Sequence, residues 1–190
     1  MVAMTTIDWT HEAIEQLEWH WREHARPRMD GLTDAEHLWE PVQPAWSVRP
    51  RGEERTALAG GAGDVVAEIV FPEPSPAPFT TIAWRLVHLA IGCFGERASN
   101  HFGDGTVNYP SATYSLQAAD GLALLDHHYE AWMAGVRTLG PEGMARPCGP
   151  AEGPFAEFPM GALVLHISRE AIHHAAEIAL LRDLYALGLR

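Results

Sequence analysis

Five side chains able to bind a metal or move a proton lie in one short stretch, HISREAIHHAAE. They are His166, Glu170, His173, His174 and Glu177. Imidazole and carboxylate both ligate zinc and similar divalent ions. If the stretch is helical, spacing decides which of them can act together. Residues four apart sit one turn apart on one face, so Glu170 and His174 can aim a carboxylate and an imidazole at a common point. His166 and His174 are two turns apart, roughly 12 Å along the axis, and cannot both ligate one ion.

The element carrying them reads as one long helix. Pro159 suits a first helical turn, where its missing N–H has no intrahelical partner. Nothing breaks the run from Met160 to Leu187, and Gly188 offers a stop. Leu163, Ile167, Ala171, His174, Ile178, Leu181 and Tyr185 recur at helical spacing, a stripe that can bury against other helices.

The rest of the chain supplies candidate neighbours. A first helix is expected from Asp8, its cap, to about Arg26, where Pro27 stops it. Ile14, Leu17, Trp21 and His24 form its apolar stripe. His20 and His24, four apart, are either a metal pair or two packed rings. Thr33 and Glu36 make a capping box for a short element ending at Pro41. From Pro41 to Pro78 the chain reads as loop, with one possible strand over Val65 to Phe71. So long a loop is unusual in a compact domain. Trp46, with Arg49 and Arg51, either covers a pocket or anchors that loop. A second long helix runs from Thr80 or Thr81 to about Asn100, apolar on most sides, with His88 at the edge of its arc. Gly92 and Gly95 on the His88 face permit either close helix contact or an open cavity. His101 and Asp104 follow in a turn-rich loop and could reach a cleft. A third long helix spans about Leu116 to Leu139, with Leu122, Leu125, Tyr129, Trp132, Val136 and Leu139 as its seam. A loop from Pro141 to Pro154 leads to the last helix. The expectation is one all-α domain over residues 1–190, a four-helix bundle with long loops.

Composition excludes several classes. The 13 basic residues, all arginine, face 25 acidic ones, for a net charge of -12. That charge argues against a nucleic-acid partner and against a polybasic membrane contact. No apolar stretch is long enough to span a bilayer. The start MVAMTTIDW has no basic residue and no apolar run, so no signal peptide is expected. Cys93 and Cys148 are the only cysteines. They read as two reduced thiols of a cytoplasmic protein.

Set beside His88 on the second helix, Glu170 and His174 on the last helix make a set of two imidazoles and one carboxylate. Bundle cores build metal sites from facing helices, and three protein ligands leave an open position for chemistry. Lewis-acid activation of a bound water or thiol would then be available. The spacing alone leaves other readings open. Glu170 could pair with an arginine such as Arg169 or Arg85, and His174 could pack in the core.

The runs HISREAIHHAAEIALLRDLY, WRLVHL and EWHWREHARPRMDGLTDAEHLWEP resemble the DinB-like superfamily. The likeness is nearest to its actinobacterial members and to the metal-binding domain of mycothiol-dependent maleylpyruvate isomerase. It covers about Trp9 to Tyr185. It implies a four-helix bundle in up-down-down-up order that binds a divalent ion, zinc or nickel, through His88, Glu170 and His174. Glu170 stands where a first histidine is commonest, a departure shared with the isomerase-like members. His173 is implied to be a non-ligand. The roles of His20, His24, His101 and His166 are left open. The implied activity is transfer of a low-molecular-weight thiol, mycothiol rather than bacillithiol given the GC-rich composition, to an electrophilic substrate. The sequence lacks the second domain of the full isomerase, so S-transfer or related detoxification is expected rather than maleylpyruvate isomerisation. The alternative is a non-catalytic, stress-related metal-binding bundle. A homodimer is also expected, because the apolar arc of the second helix and the third-helix seam look broad for a lone bundle.

Overall fold

Four long helical segments carry the core in the computed structural model, which describes residues 7–189 apart from Phe71 and Glu73. The first is α1, Trp9–His20, with Asp8 accepting from the backbone of Thr10 and His11 as its cap. It continues as a π turn, Trp21–Ala25, and a 3-10 turn, Pro27–Met29. The buried residues Leu17, Trp21, Ala25 and Met29 step by four, because the π turn is wider than an α turn. That shift leaves His24 exposed, a correction to its place in the expected stripe. Next comes α2, Asp34–His37, with both halves of the Thr33–Glu36 capping box in place.

The segment expected to be loop is where the all-α expectation fails. Strands β1 (Ala45–Trp46), β2 (Val48–Pro50), β3 (Leu58–Gly60), β4 (Val65–Ile69) and β5 (Phe79–Thr80) form two small sheets. One is antiparallel in the order β2-β4-β3, and the other is a parallel β1-β5 pair. The strand read over Val65 to Phe71 exists to Ile69, and its last residue lies outside the described residues. The β-branched Val65, Val66 and Ile69 favour the extended chain. A buried charge network fixes it. Glu68 is fully buried, accepts from the Ser47 amide at 2.9 Å and meets Arg49 at 2.9 Å. Arg49 also reaches Glu40 at 3.0 Å. Arg51 donates to the carbonyls of Gly61 and Gly63. Both arginines therefore hold the sheet.

This small sheet grips the second long segment. Trp84 donates through Nε1 to the Glu68 carbonyl at 2.7 Å, and Trp46 lies 6.0 Å from the Trp84 ring. That segment is α3 (Ile82–Val87), a π stretch (His88–Gly95) and α4 (Glu96–Phe102), continuous and capped by Thr81. Everything from Leu89 to Gly95 is buried, as its apolar arc requires. A π stretch inside an α-helix often marks a functional site, and this one opens on His88.

The third segment, α5 (Ala118–Val136), packs Leu125, Tyr129, Trp132 and Val136 inward. Asp34 accepts from the Ala118 amide at 2.7 Å and does the work of a cap. Trp21, Phe94 and Tyr129, from three segments, meet in one aromatic cluster, with Trp21 stacked on Tyr129 at 4.4 Å. The Pro141 to Pro154 stretch is not plain loop. It holds α6 (Pro141–Ala145) and a 3-10 turn, Pro150–Phe155, each opened by a proline that lacks the donor those positions cannot use. The last segment, α7 (Met160–Ala186), uses Pro159 as an extended cap rather than as its first residue. It ends at Gly188, whose φ of 83° suits glycine. Its inner face, Leu163, Ile167, Ala171, Ile178 and Leu181, is buried against α1 and the α3–α4 segment.

Candidate metal centre

His88, Glu170 and His174 come together where the π stretch crosses α7. One ligand atom from each lies within 4.8 Å of the other two. Nε2 of His174 is 3.7 Å from Glu170 Oε2, and the rings of His88 and His174 meet edge to face at 4.8 Å. A tetrahedral site with bonds near 2.1 Å has ligand edges of roughly 3.4 Å, so small side-chain movements would suffice to close on an ion.

Each imidazole has its second nitrogen occupied. Nδ1 of His174 is 2.7 Å from Glu177 Oε2, and the carboxylate can only accept there. The Nδ1 position thus carries a proton, and Nε2 is the nitrogen turned toward Glu170. Nδ1 of His88 is 2.9 Å from the Tyr109 hydroxyl, which leaves Nε2 as its remaining nitrogen. Held second nitrogens orient the rings of metal-ligating histidines. Trp84 stacks on His88 at 5.2 Å with an interplanar angle of 9° and fixes the plane of its ring.

The electrostatics suit His88 as a neutral donor. Burial, reinforced by the nearby His174 and Arg97, lowers His88 to about 3, so the ring is neutral at neutral pH. Burial alone would raise the Glu177 carboxyl, yet the His174 hydrogen bond and the Arg85 charge hold it below its usual range. Burial keeps the Tyr109 phenol protonated. Arg85 lies 3.4 Å from Glu177, and Glu170 instead contacts His166 at 3.5 Å and Arg169 at 4.0 Å. The Glu170–Arg85 pairing considered from sequence does not form.

Gly92 explains how Tyr109 arrives. A Cβ on Gly92 would collide with the Tyr109 hydroxyl, and one on Gly60 would stand 3.1 Å from the Tyr109 Cβ. The small-residue face beside His88 is thus filled by a loop side chain, while Gly95 lies against the His128 ring.

The other histidines stand apart. His173 is 63% exposed in its side chain, and its grouping with His174 and Glu177 shares a carboxylate already engaged by His174 and Arg85. His166, one turn before Glu170, accepts from Arg169 at 2.7 Å. His20 and His24 lie 5.9 Å apart, His24 packs edge-on to Trp19, and no third ligand joins them among the described residues. His101 pairs with Glu152 at 2.9 Å, whereas Asp104 ties Ser99 to Thr106 within its loop. Sequence reasoning missed Tyr109, since no spacing connects a loop tyrosine to His88. It noted Glu177 without a role, although its place three residues after His174 was a usable signal.

Fold and cluster define a helix-rich protein with two imidazoles and one carboxylate gathered between two helices, a group that could hold a metal ion. The chain belongs to the DinB superfamily, whose family model matches residues 16–178. No curated protein and no solved structure shows a significant match to it.

Proposed function

We propose that the protein is a divalent-metal-dependent enzyme that transfers a low-molecular-weight thiol of the mycothiol type to an electrophile. Zinc or nickel would be held by His88, Glu170 and His174. The observation carrying this reading is the convergence of those three ligand atoms within 4.8 Å, with both rings already oriented by Glu177 and Tyr109. The wider proposal is a single DinB-like domain, an up-down-down-up four-helix bundle of the isomerase-like branch, working in the cytoplasm. Two buried free thiols support that location. Among the described residues no helix is long and apolar enough to cross a membrane.

A divalent ion held there would supply the Lewis acidity that makes a thiol acidic enough to ionise at neutral pH. The protein does the rest. Glu177 keeps the proton on Nδ1 of His174, and Tyr109 engages Nδ1 of His88, so both rings can present Nε2 as a lone pair. As a carboxylate ligand, Glu170 would lower the net charge of such a centre relative to a third imidazole and so favour an acidic thiol over water. The Trp84 ring covers one face of His88 and excludes water from it.

Elemental analysis followed by mycothiol titration tests the reading. Mycothiol should bind the metal-loaded protein and not the chelator-treated one. Metal without thiol affinity would favour a non-catalytic, stress-related bundle in which the ion only joins the two helices.

A homodimer is also part of the proposal, on grounds other than the breadth of the inner helices. The second-helix arc and the α5 seam are covered within one chain. On α7 the exposed apolar residues include Leu165, Ile172 and Leu180, seven and eight apart along its outer face.

A further inference from the structure

A cavity of about 410 Å³ opens between α4 and the amino-terminal half of α7. That volume suits a small organic ligand. Its two helical walls belong to the segments that carry the metal group. His166 of the lining connects to that group, since its Nδ1 lies 3.5 Å from Oε1 of Glu170, whose other oxygen is 3.7 Å from His174.

The polar lining is rich in unused donors. Arg97 spends Nη1 on the Gly92 carbonyl and meets Glu96 with the same nitrogen at 3.5 Å, while Nη2 reaches Glu152 only at 3.6 Å, beyond a good hydrogen bond. Its buried Nε has no hydrogen-bond partner among the described residues. Glu152, the one acidic side chain of the lining, already accepts from His101 at 2.9 Å. Arg169 donates to Nδ1 of His166, which puts the His166 proton on Nε2 and makes that atom another donor. Arg169 is itself 69% exposed, with Nε 4.0 Å from Glu170.

The apolar lining is also unfinished. Phe155 and Phe158 pack edge to face at 5.6 Å on the cavity rim, yet both are more than half exposed. Exposed aromatic surface beside unsatisfied cationic donors marks a ligand site rather than a solvated face.

We propose that this cavity binds a small aromatic or similarly apolar organic acid. Arg97, His166 and Arg169 hold the carboxylate, and Phe155 and Phe158 cover the apolar body. A planar carboxylate suits a guanidinium with a free edge. As the seat of the substrate, the site rests on the thiol-transfer reading; as an organic-acid site, it rests on its own lining.

The probe is phenylacetate, titrated calorimetrically into the full chain after metal removal, so that no ion can attract the carboxylate. Phenylacetamide has the same shape without the charge and serves as the control. Phenylacetate should bind at least tenfold more tightly than the amide, and Arg97→Met should remove most of that difference. The wild-type comparison needs no variant and is unaffected if Arg97→Met folds poorly. Equal affinity for acid and amide, or no saturable binding of either at millimolar concentration, would overturn the proposal. Metal content of the same preparation is measured separately. A protein that binds phenylacetate but has no metal affinity keeps this site and removes the thiol-transfer reading.

Discussion

The Tyr109 hydroxyl lies 2.9 Å from Nδ1 of His88 and joins a loop to the π stretch of the second long segment. Tyr114 donates to the Tyr109 carbonyl at 2.8 Å, and Gly60 and Gly92 leave room for the side chain. Four positions thus fix one hydrogen bond. Losing such a partner of a metal-ligating histidine weakens affinity about 10- to 100-fold, and Tyr109→Phe should fall in that range. Gly92→Ala should weaken metal binding similarly and destabilise by about 1–3 kcal/mol, because the new methyl displaces the hydroxyl. Competition with a chelator reads the first effect and urea unfolding the second. Unchanged affinity in Tyr109→Phe would remove the orienting role.

Glu170→Gln keeps the shape of the side chain and removes its charge. Metal retention should fall, while Glu170→His should hold metal well through three imidazoles. Arg85 is paired with Glu177 rather than Glu170, so the Tm of chelator-treated Glu170→Gln should match that of chelator-treated wild type. A lower Tm without metal, together with equal metal occupancy, would mean that Glu170 is a structural ion-pair partner.

Acid should destabilise the metal-free protein through His37. Burial outweighs the Ser115 backbone and Asp34 interactions and lowers His37 to about 4 from its ordinary 6.5. A histidine depressed in the folded state takes up its proton more readily when unfolded. Its contribution is therefore complete above about pH 6.5 and lost as pH falls toward 4. At about 1.4 kcal/mol per pKa unit, His37 alone amounts to roughly 3 kcal/mol. Urea midpoints at pH 7 and pH 4.5 should differ clearly in wild type and less in His37→Leu. Equal pH dependence in both proteins would contradict the assignment.

Light scattering at micromolar concentration checks the assembly. Wild type should give a dimer mass, and Ile172→Glu, which puts a charge in the middle of the uncovered α7 face, should give a monomer. A monomer mass in wild type would contradict the dimer.

The long helices were legible because each depends on local chemistry: a cap at Asp8 or Thr81, a stop at Gly188, and stripes such as Leu125, Tyr129, Trp132 and Val136. The small sheets were not, because β2 and β4 pair across a Gly- and Pro-rich stretch and depend on Arg49 meeting Glu40 and Glu68. Nothing periodic records such a meeting. The convergence of His88 with Glu170 and His174 could be reasoned from facing helices, since Glu170 and His174 already share a helix face. Tyr109 could not, because a loop side chain reaches its target only through tertiary packing. The π stretch was hidden too, as it alters the helix phase without changing the apolar composition.

Metal content of the purified protein tests the central claim most directly. Elemental analysis should find a stoichiometric divalent ion in wild type and in His173→Ala, and almost none in His88→Ala or His174→Ala. Full occupancy in His88→Ala would contradict the account, because the second helix would then contribute nothing to the site.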